Sequence, residues 1–170
     1  DKRNSLFGDS VVQQQDSIEK FSEKIIAGKN SQVTNDFMII ARIESLILNA
    51  GVDNAIARAK AYKIAGADAI MIHSKSKDAK DIISFCELYN NIENKLPLVI
   101  VPSSFPQFYE KDLEKLGANI IIYANHLIRS AYPVMIKTAE SILINERSKE
   151  ASENYCMPIK EILTLIPEDY

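Results

Sequence analysis

The residues best suited to chemistry in this chain stand at the ends of four short apolar runs. The first run, Phe37-Met-Ile-Ile-Ala-Arg-Ile-Glu44, closes on an arginine and a carboxylate with Ile43 between them. In a strand, period-2 alternation puts Arg42 and Glu44 on one side, where they either face a common ligand or pair with each other as a structural ion pair. The second run, Ala69 to Ile72, ends in His73, Ser74 and Lys75; the third, Leu98 to Val101, ends in Pro102, Ser103 and Ser104; the fourth, Ile120 to Tyr123, leads to Asn125 and His126. Both histidines of the chain therefore follow strand ends. A fixed fork of donors such as Arg42 suits a phosphoryl or carboxylate group, and a histidine on the next strand can add a hydrogen bond. Either histidine alone reads first as a structural residue bonded to a neighbouring loop, and it is the coincidence of four polar strand ends that weakens that reading.

Helical segments must hold these ends in place. Ile18, Phe21, Ile25 and Ile26 recur at helical spacing over Asp16 to Ala27, with Gly28 as the expected stop. The apolar content of 37–44 predicts a strand buried on both faces. Asp53 is placed to cap an alanine-rich helix over 54–65 that Gly66 ends. Further helices are expected over 78–89, over 110–116 with Gly117 as stop, and over about 127–145 with Pro133 in or near the first turns. Ser148 to Asn154 reads as a polar break, and Ile159, Ile162, Leu163 and Ile166 beyond it fall at helical spacing.

Four strand-then-helix units without hairpin signals predict an α/β fold with a parallel sheet. An open doubly wound sheet and a (β/α)₈ barrel compete; polar groups at all four strand ends favour the barrel, whose sites gather at the C-terminal face. The 170 residues, 46% hydrophobic, can bury a substantial core. A net charge of −3 without basic clusters speaks against nucleic acid and anionic membrane as partners. No apolar run reaches membrane-span length, and Asp1 to Ser5 has no secretion-signal character, so a cytoplasmic protein is expected. Cys86 and Cys156 lack metal-ligand spacing and fit a reducing compartment, Cys86 as a small buried hydrophobe.

Several runs together resemble the phosphoenolpyruvate mutase family of the isocitrate lyase superfamily: Ile40-Ala-Arg-Ile-Glu44, Ala65-Gly-Ala-Asp-Ala-Ile-Met-Ile-His-Ser-Lys75, Val99-Ile-Val-Pro102, Ile122-Tyr-Ala-Asn-His126 and Cys156-Met-Pro-Ile-Lys-Glu-Ile-Leu-Thr-Leu-Ile166. The resemblance implies the C-terminal half of a (β/α)₈ TIM barrel, with a barrel segment at 1–147 that includes a lid-loop remnant at 1–10, and a C-terminal helical segment at 148–170 exchanged between subunits of a homo-oligomer, dimer or tetramer. It implies interconversion of phosphoenolpyruvate and phosphonopyruvate with Mg²⁺. Arg42, His73, Asn4 and Lys2 are then the catalytic residues, and Arg42, His73, Asn4 and Ser5 contact the small-molecule substrate. Asn125 and His126 also match the family pattern and read as supporting residues.

Family members carry Glu-Asp-Lys, five residues, then Asn-Ser on the loop that closes over the substrate. Here Asp1-Lys-Arg-Asn-Ser5 packs the same ingredients into a shorter span, from which residues between Asp1 and Arg3 are expected to be missing. The family's acidic magnesium-binding strand ends are expected upstream of Asp1, and no metal ligand is assigned within the chain. A relative, phosphonopyruvate hydrolase, has threonine where Asn4 stands, so Asn4 favours the mutase. The other alternative is a catalytically inert fragment acting as an assembly unit, since a four-strand arc leaves two unpaired edges.

Overall fold

The computed structural model describes residues 14–166. These fall into two compact units, one ending at Ala124 and the other beginning at Asn125. The first holds helix α1 (Ile18–Asn30), strand β1 (Ile40–Ile43), α2 (Val52–Ile64), β2 (Ala69–Ile72), α3 (Lys80–Asn90), β3 (Leu98–Ile100), a 3₁₀ turn (Pro102–Ser104), α4 (Glu110–Lys115) and β4 (Ile120–Ile121). The second holds α5 (His126–Asn145), α6 (Lys149–Asn154) and α7 (Ile159–Leu163).

The four strands are parallel and lie in the order β1-β2-β3-β4, each beside its successor. A doubly wound sheet reverses its strand order at a switch point. This sheet does not, so within the first unit it runs as the arc of a barrel does. Register puts Ala41, Ile70 and Leu98 in one row and Ile43, Ile72, Ile100 and Ile121 in another. Both rows pack into one core with Ala55, Ala59 and Tyr62 of α2, Ile82, Phe85, Cys86 and Tyr89 of α3, and Leu113 of α4. Burying each large apolar side chain of this set is worth roughly 1.5–3 kcal/mol. Cys86 is one of the fully buried members, and burial pushes its thiol up to about 12, in keeping with a packing role.

The row of Arg42, Met71, Val99 and Ile120 lies on the opposite face. Here β1 departs from its expected burial on both faces: Ala41 and Ile43 are buried, whereas Ile40 and Arg42 are exposed. The reason is geometric, since the helices cover one side of the sheet and Arg42 stands on the other.

The two ends of the strands are treated differently. At their N-terminal ends, Asp68 accepts the Ile39 N–H at 2.7 Å and both oxygens take Lys29 Nζ at 2.9 Å, while Asn119 Oδ1 accepts the Leu98 N–H at 2.9 Å. These bonds tie the start of β1 to the loop that enters β2, and the start of β3 to the loop that enters β4. The C-terminal ends are left to the polar residues of the candidate site.

Gly66 and Gly117 end α2 and α4 at φ of 96° and 100°, a region that favours glycine, and the following amides bond back into the helices. Gly28 does not stop α1, which runs on to Asn30; a Cβ there would sit 2.9 Å from Ile39 Cδ1, so the residue provides a close approach to the chain entering β1. Asp53 is not the cap of α2 either. The helix starts at Val52 behind Gly51, and Asp53 places its charge in the first turn. Helix α3 starts at Lys80, two residues later than expected. In the second unit Pro133 lies inside α5 as its eighth residue, beyond the first turns, where its missing N–H removes one helical hydrogen bond. The stretch read as a polar break forms α6, which packs on α5 and buries Ala151.

Candidate active site

Arg42, Glu44 and His73 form one cluster at the C-terminal ends of β1 and β2. Arg42 Nε donates to Glu44 Oε1, and Arg42 Nη2 lies 2.7 Å from His73 Nδ1. His73 Nδ1 is also 3.6 Å from Glu44 Oε1. The alternation of β1 brings Arg42 and Glu44 to one side, and register does the rest: Arg42 is opposite Met71, so the residues two further on, Glu44 and His73, face the same way.

A guanidinium can only donate, so in its bond with Arg42 His73 Nδ1 accepts; a ring that carries its hydrogen on Nδ1 turns that hydrogen to Glu44 Oε1 instead, so Arg42 and Glu44 meet at one imidazole nitrogen. Glu44 and His73 are almost fully buried, while the Arg42 side chain is 39% exposed. Burial raises the Glu44 carboxyl, but His73 and Arg42 outweigh it and hold the group below its ordinary value of 4.5. The Nε–Nη2 edge of Arg42 is thus committed to the protein. Arg42 and Glu44 also line an adjoining cavity of about 340 Å³, together with Gln15, Asp16, Arg58 and Tyr62.

The neighbouring strand ends supply support. Ser74, fully buried, donates to Asp81 in the first turn of α3 and accepts the Ser76 N–H at 3.0 Å, which fixes the backbone just after His73. Lys75 is exposed. Ser103 and Ser104 are half-buried in the 3₁₀ turn, and Ser103 Oγ is buried with no hydrogen-bond partner among the described residues. Asn125 and His126 belong to the second unit, Asn125 with φ of 56° ahead of α5 and His126 as its first residue. Lys2, Asn4 and Ser5 lie outside the described residues.

One group of residues was not singled out by any motif. Buried Arg58 donates through Nε to Asn54 Oδ1 at 3.1 Å, through Nη1 to Tyr62 Oη at 2.6 Å and through Nη2 to the Asp16 carbonyl at 2.9 Å, and Asn54 Oδ1 also accepts from Ser45 Oγ at 2.8 Å. The signal was present in the spacing: Asn54, Arg58 and Tyr62 stand four residues apart and form a polar stripe on the inward face of an alanine-rich helix.

The family model for phosphoenolpyruvate phosphomutase matches residues 1–143. The chain belongs to this family. The phosphoenolpyruvate phosphomutase of Tetrahymena pyriformis is 36% identical over 99% of this chain and 54% of its own length. The phosphonopyruvate hydrolase of Variovorax sp. (strain Pal2) is 44% identical over 67% of this chain and 39% of its own length. Among solved structures, the phosphoenolpyruvate phosphomutase of Streptomyces platensis subsp. rosaceus superposes with a TM-score of 0.80 at 33% identity, covering 92% of this chain and 54% of that one. A phosphonopyruvate hydrolase complex with oxalate and Mg²⁺ also gives 0.80, at 35% identity over 94% of this chain and 55% of that one. The chain spans about half the length of the phosphoenolpyruvate phosphomutase relatives it matches, and its sequential four-strand arc is the corresponding part of their barrel.

Proposed function

We propose that this chain carries one side of the active site of a phosphoenolpyruvate phosphomutase, the isomerase that interconverts phosphoenolpyruvate and phosphonopyruvate in phosphonate biosynthesis. The observation that carries the reading is the Arg42–Glu44–His73 cluster. Phosphoryl transfer between an enolate oxygen and the adjacent carbon passes through a loose, metaphosphate-like species whose charge rests on its equatorial oxygens. Catalysis of such a step is largely positioning and preorganised positive charge. Arg42 meets that need: one edge is fixed by two buried partners, and the residue lines the cavity. His73 adds an imidazole beside it.

Magnesium belongs to this reading, but the described residues do not make up its site. Among them no group of three or more His, Cys, Asp or Glu side chains is placed to hold a metal, and the Glu44 carboxylate is committed to Arg42 and His73. We assign the magnesium ligands to acidic residues preceding Asp1, and Lys2, Asn4 and Ser5 to the loop that covers the substrate and keeps water from the migrating group.

The enzyme works in the cytoplasm, in keeping with the free thiols Cys86 and Cys156. It assembles as a homo-oligomer through residues 148–170, where Ile159, Ile162, Leu163 and Ile166 are all more than half exposed. No helix among the described residues is long and apolar enough to cross a membrane.

Hydrolysis of phosphonopyruvate is the second reading, favoured by the 44% identity to the Variovorax hydrolase. Phosphorus NMR of the intact enzyme with phosphonopyruvate separates the two, because rearrangement yields phosphoenolpyruvate and hydrolysis yields inorganic phosphate.

A further inference from the structure

Arg58 is a buried cation whose three hydrogen-bond partners, the Asn54 amide oxygen, the Tyr62 hydroxyl and the Asp16 carbonyl, are all neutral. Stability alone is a poor reason for it: a buried charge costs several kcal/mol to desolvate, and an apolar side chain of similar volume commonly serves a core as well or better. What a guanidinium supplies, and an apolar side chain cannot, is a rigid set of donors fixed in direction.

The three partners lie in different places. Asn54 and Tyr62 flank Arg58 on its own helix, one turn to either side, and Asp16 precedes α1. The chain of bonds continues from Asn54 to the strand end. Ser45 Oγ has one hydrogen to give and stands 2.8 Å from Asn54 Oδ1, so it donates there and is left to accept from Gln15 Nε2 at 3.5 Å. Ser45 is fully buried and is the residue directly after Glu44. Arg58 thus reaches the backbone of Glu44 through two hydrogen bonds, and by its third arm it fixes Asp16 in the wall of the cavity that Arg42 and Glu44 share.

We infer that Arg58 is a positioning residue for the phosphoryl-transfer site: through Asn54 and Ser45 it sets where Glu44 stands, and Glu44 in turn sets the edge that Arg42 presents and its contact with His73. The inference deepens the proposed phosphomutase reading and rests on it for its kinetic part. Arg58 itself touches no reacting atom. Its effect is that of misplacement, which at about 1 Å costs on the order of 10²-fold in rate even when the change lies away from the chemistry.

The test uses the intact enzyme and four variants: Arg58→Met, Asn54→Ala, Glu44→Gln and the double variant Arg58→Met/Glu44→Gln. Arg58→Met is expected to lower kcat about 10- to 100-fold with KM changed less than about 3-fold. In the Glu44→Gln background the same substitution is expected to cost less than about 3-fold, because the two act on one arrangement. Asn54→Ala keeps the bonds of Arg58 to Tyr62 and Asp16 and removes the one acceptor that Arg58 Nε and Ser45 Oγ share; it is expected to lower kcat in the same direction, and it decides the matter if Arg58→Met does not fold.

A second readout needs no turnover. The His73 imidazole nitrogen resonances, assigned by their loss in His73→Gln, are expected to move in Arg58→Met and in Asn54→Ala as the Arg42 contact changes. Folded variants with wild-type kcat and unmoved His73 resonances overturn the proposal, as does an equal loss of rate with and without Glu44. Should the unmodified enzyme fail to turn over phosphonopyruvate, the reaction assigned above falls, and the His73 resonances alone decide the role of Arg58.

Discussion

Arg42 Nη2 and His73 Nδ1, 31 residues apart in the chain, stand 2.7 Å apart across the β1–β2 pair. The contact follows from register: Arg42 lies opposite Met71, and His73, two residues beyond Met71 and one past the last pair, Ile43 with Ile72, faces the same side. It joins a guanidinium to an imidazole at the strand ends.

Arg42→Lys tests the fork. An ammonium on a flexible stem cannot hold Glu44 and His73 along one edge and present a second edge to a phosphoryl group. The expected result is a fall in turnover of about 10²-fold or more, the scale seen when one preorganised donor is lost. Phosphorus NMR of phosphonopyruvate conversion measures it, and near-normal turnover would remove Arg42 from the site.

Glu44 provides a pH test. Its carboxyl is held below 4.5, so the orientation it gives Arg42 is complete above that value and is lost as pH falls through the lowered folded value. The rate between pH 5 and 8 should therefore show no inflection from Glu44. Glu44→Gln is expected to lower kcat by about 10-fold at neutral pH, within the range seen for residues that orient a ligating or catalytic group, and to leave the shape of the pH–rate profile over pH 5–8 as in the unmodified enzyme. A profile whose acid limb disappears in the variant would contradict this.

The opposite ends of the strands offer a stability test. Asp68→Ala removes the acceptor of the Ile39 N–H and the partner of Lys29, at an expected cost of about 1–3 kcal/mol. The Ile39 N–H and Lys29 together hold the Asp68 carboxyl below its ordinary value of 3.8. Its contribution is present above that value and is lost as pH falls through the folded one. Urea denaturation should show the difference between variant and unmodified protein at pH 7 and its decline in stronger acid. Turnover at saturating phosphonopyruvate should stay close to normal, since Asp68 sits away from the strand ends that carry Arg42 and His73.

Much of this was legible in the sequence, and the failures have physical causes. The strand ends could be read because apolar runs that stop at polar residues leave few alternatives, and Gly66 and Gly117 because only glycine sits easily at a positive φ after a helix. Gly28 misled because a glycine placed for close approach to Ile39 looks the same in sequence as one that ends a helix. The exposed face of β1 was hidden by composition: Ile40 is apolar, yet it lies on the side of the sheet that the helices do not cover. Pairing of Arg42 with Glu44 was one of two open readings, and the structure has that pair, with His73 joined to it. Arg58 and Asn54 were passed over because an alanine-rich helix draws attention to its small residues.

Assembly is tested on the C-terminal segment. With Ile159 and Ile162 exposed in α7, Ile159→Asp/Ile162→Asp is expected to shift the intact protein toward monomer, since burying either charge between subunits is costly. Light scattering at micromolar concentration reads the mass. A monomer in the unmodified protein would sink the expectation.

The central claim is tested by what becomes of the phosphoryl group. Intact enzyme with magnesium and phosphonopyruvate is followed by phosphorus NMR, beside Asn4→Ala and Asn4→Thr variants. The expected result is phosphoenolpyruvate with little inorganic phosphate, and in both variants a loss of rearrangement far larger than any loss of substrate binding, because an asparagine amide donates to the migrating oxygens without attacking them. Phosphate and pyruvate as the chief products of the unmodified enzyme would contradict the mutase assignment and put the hydrolase in its place.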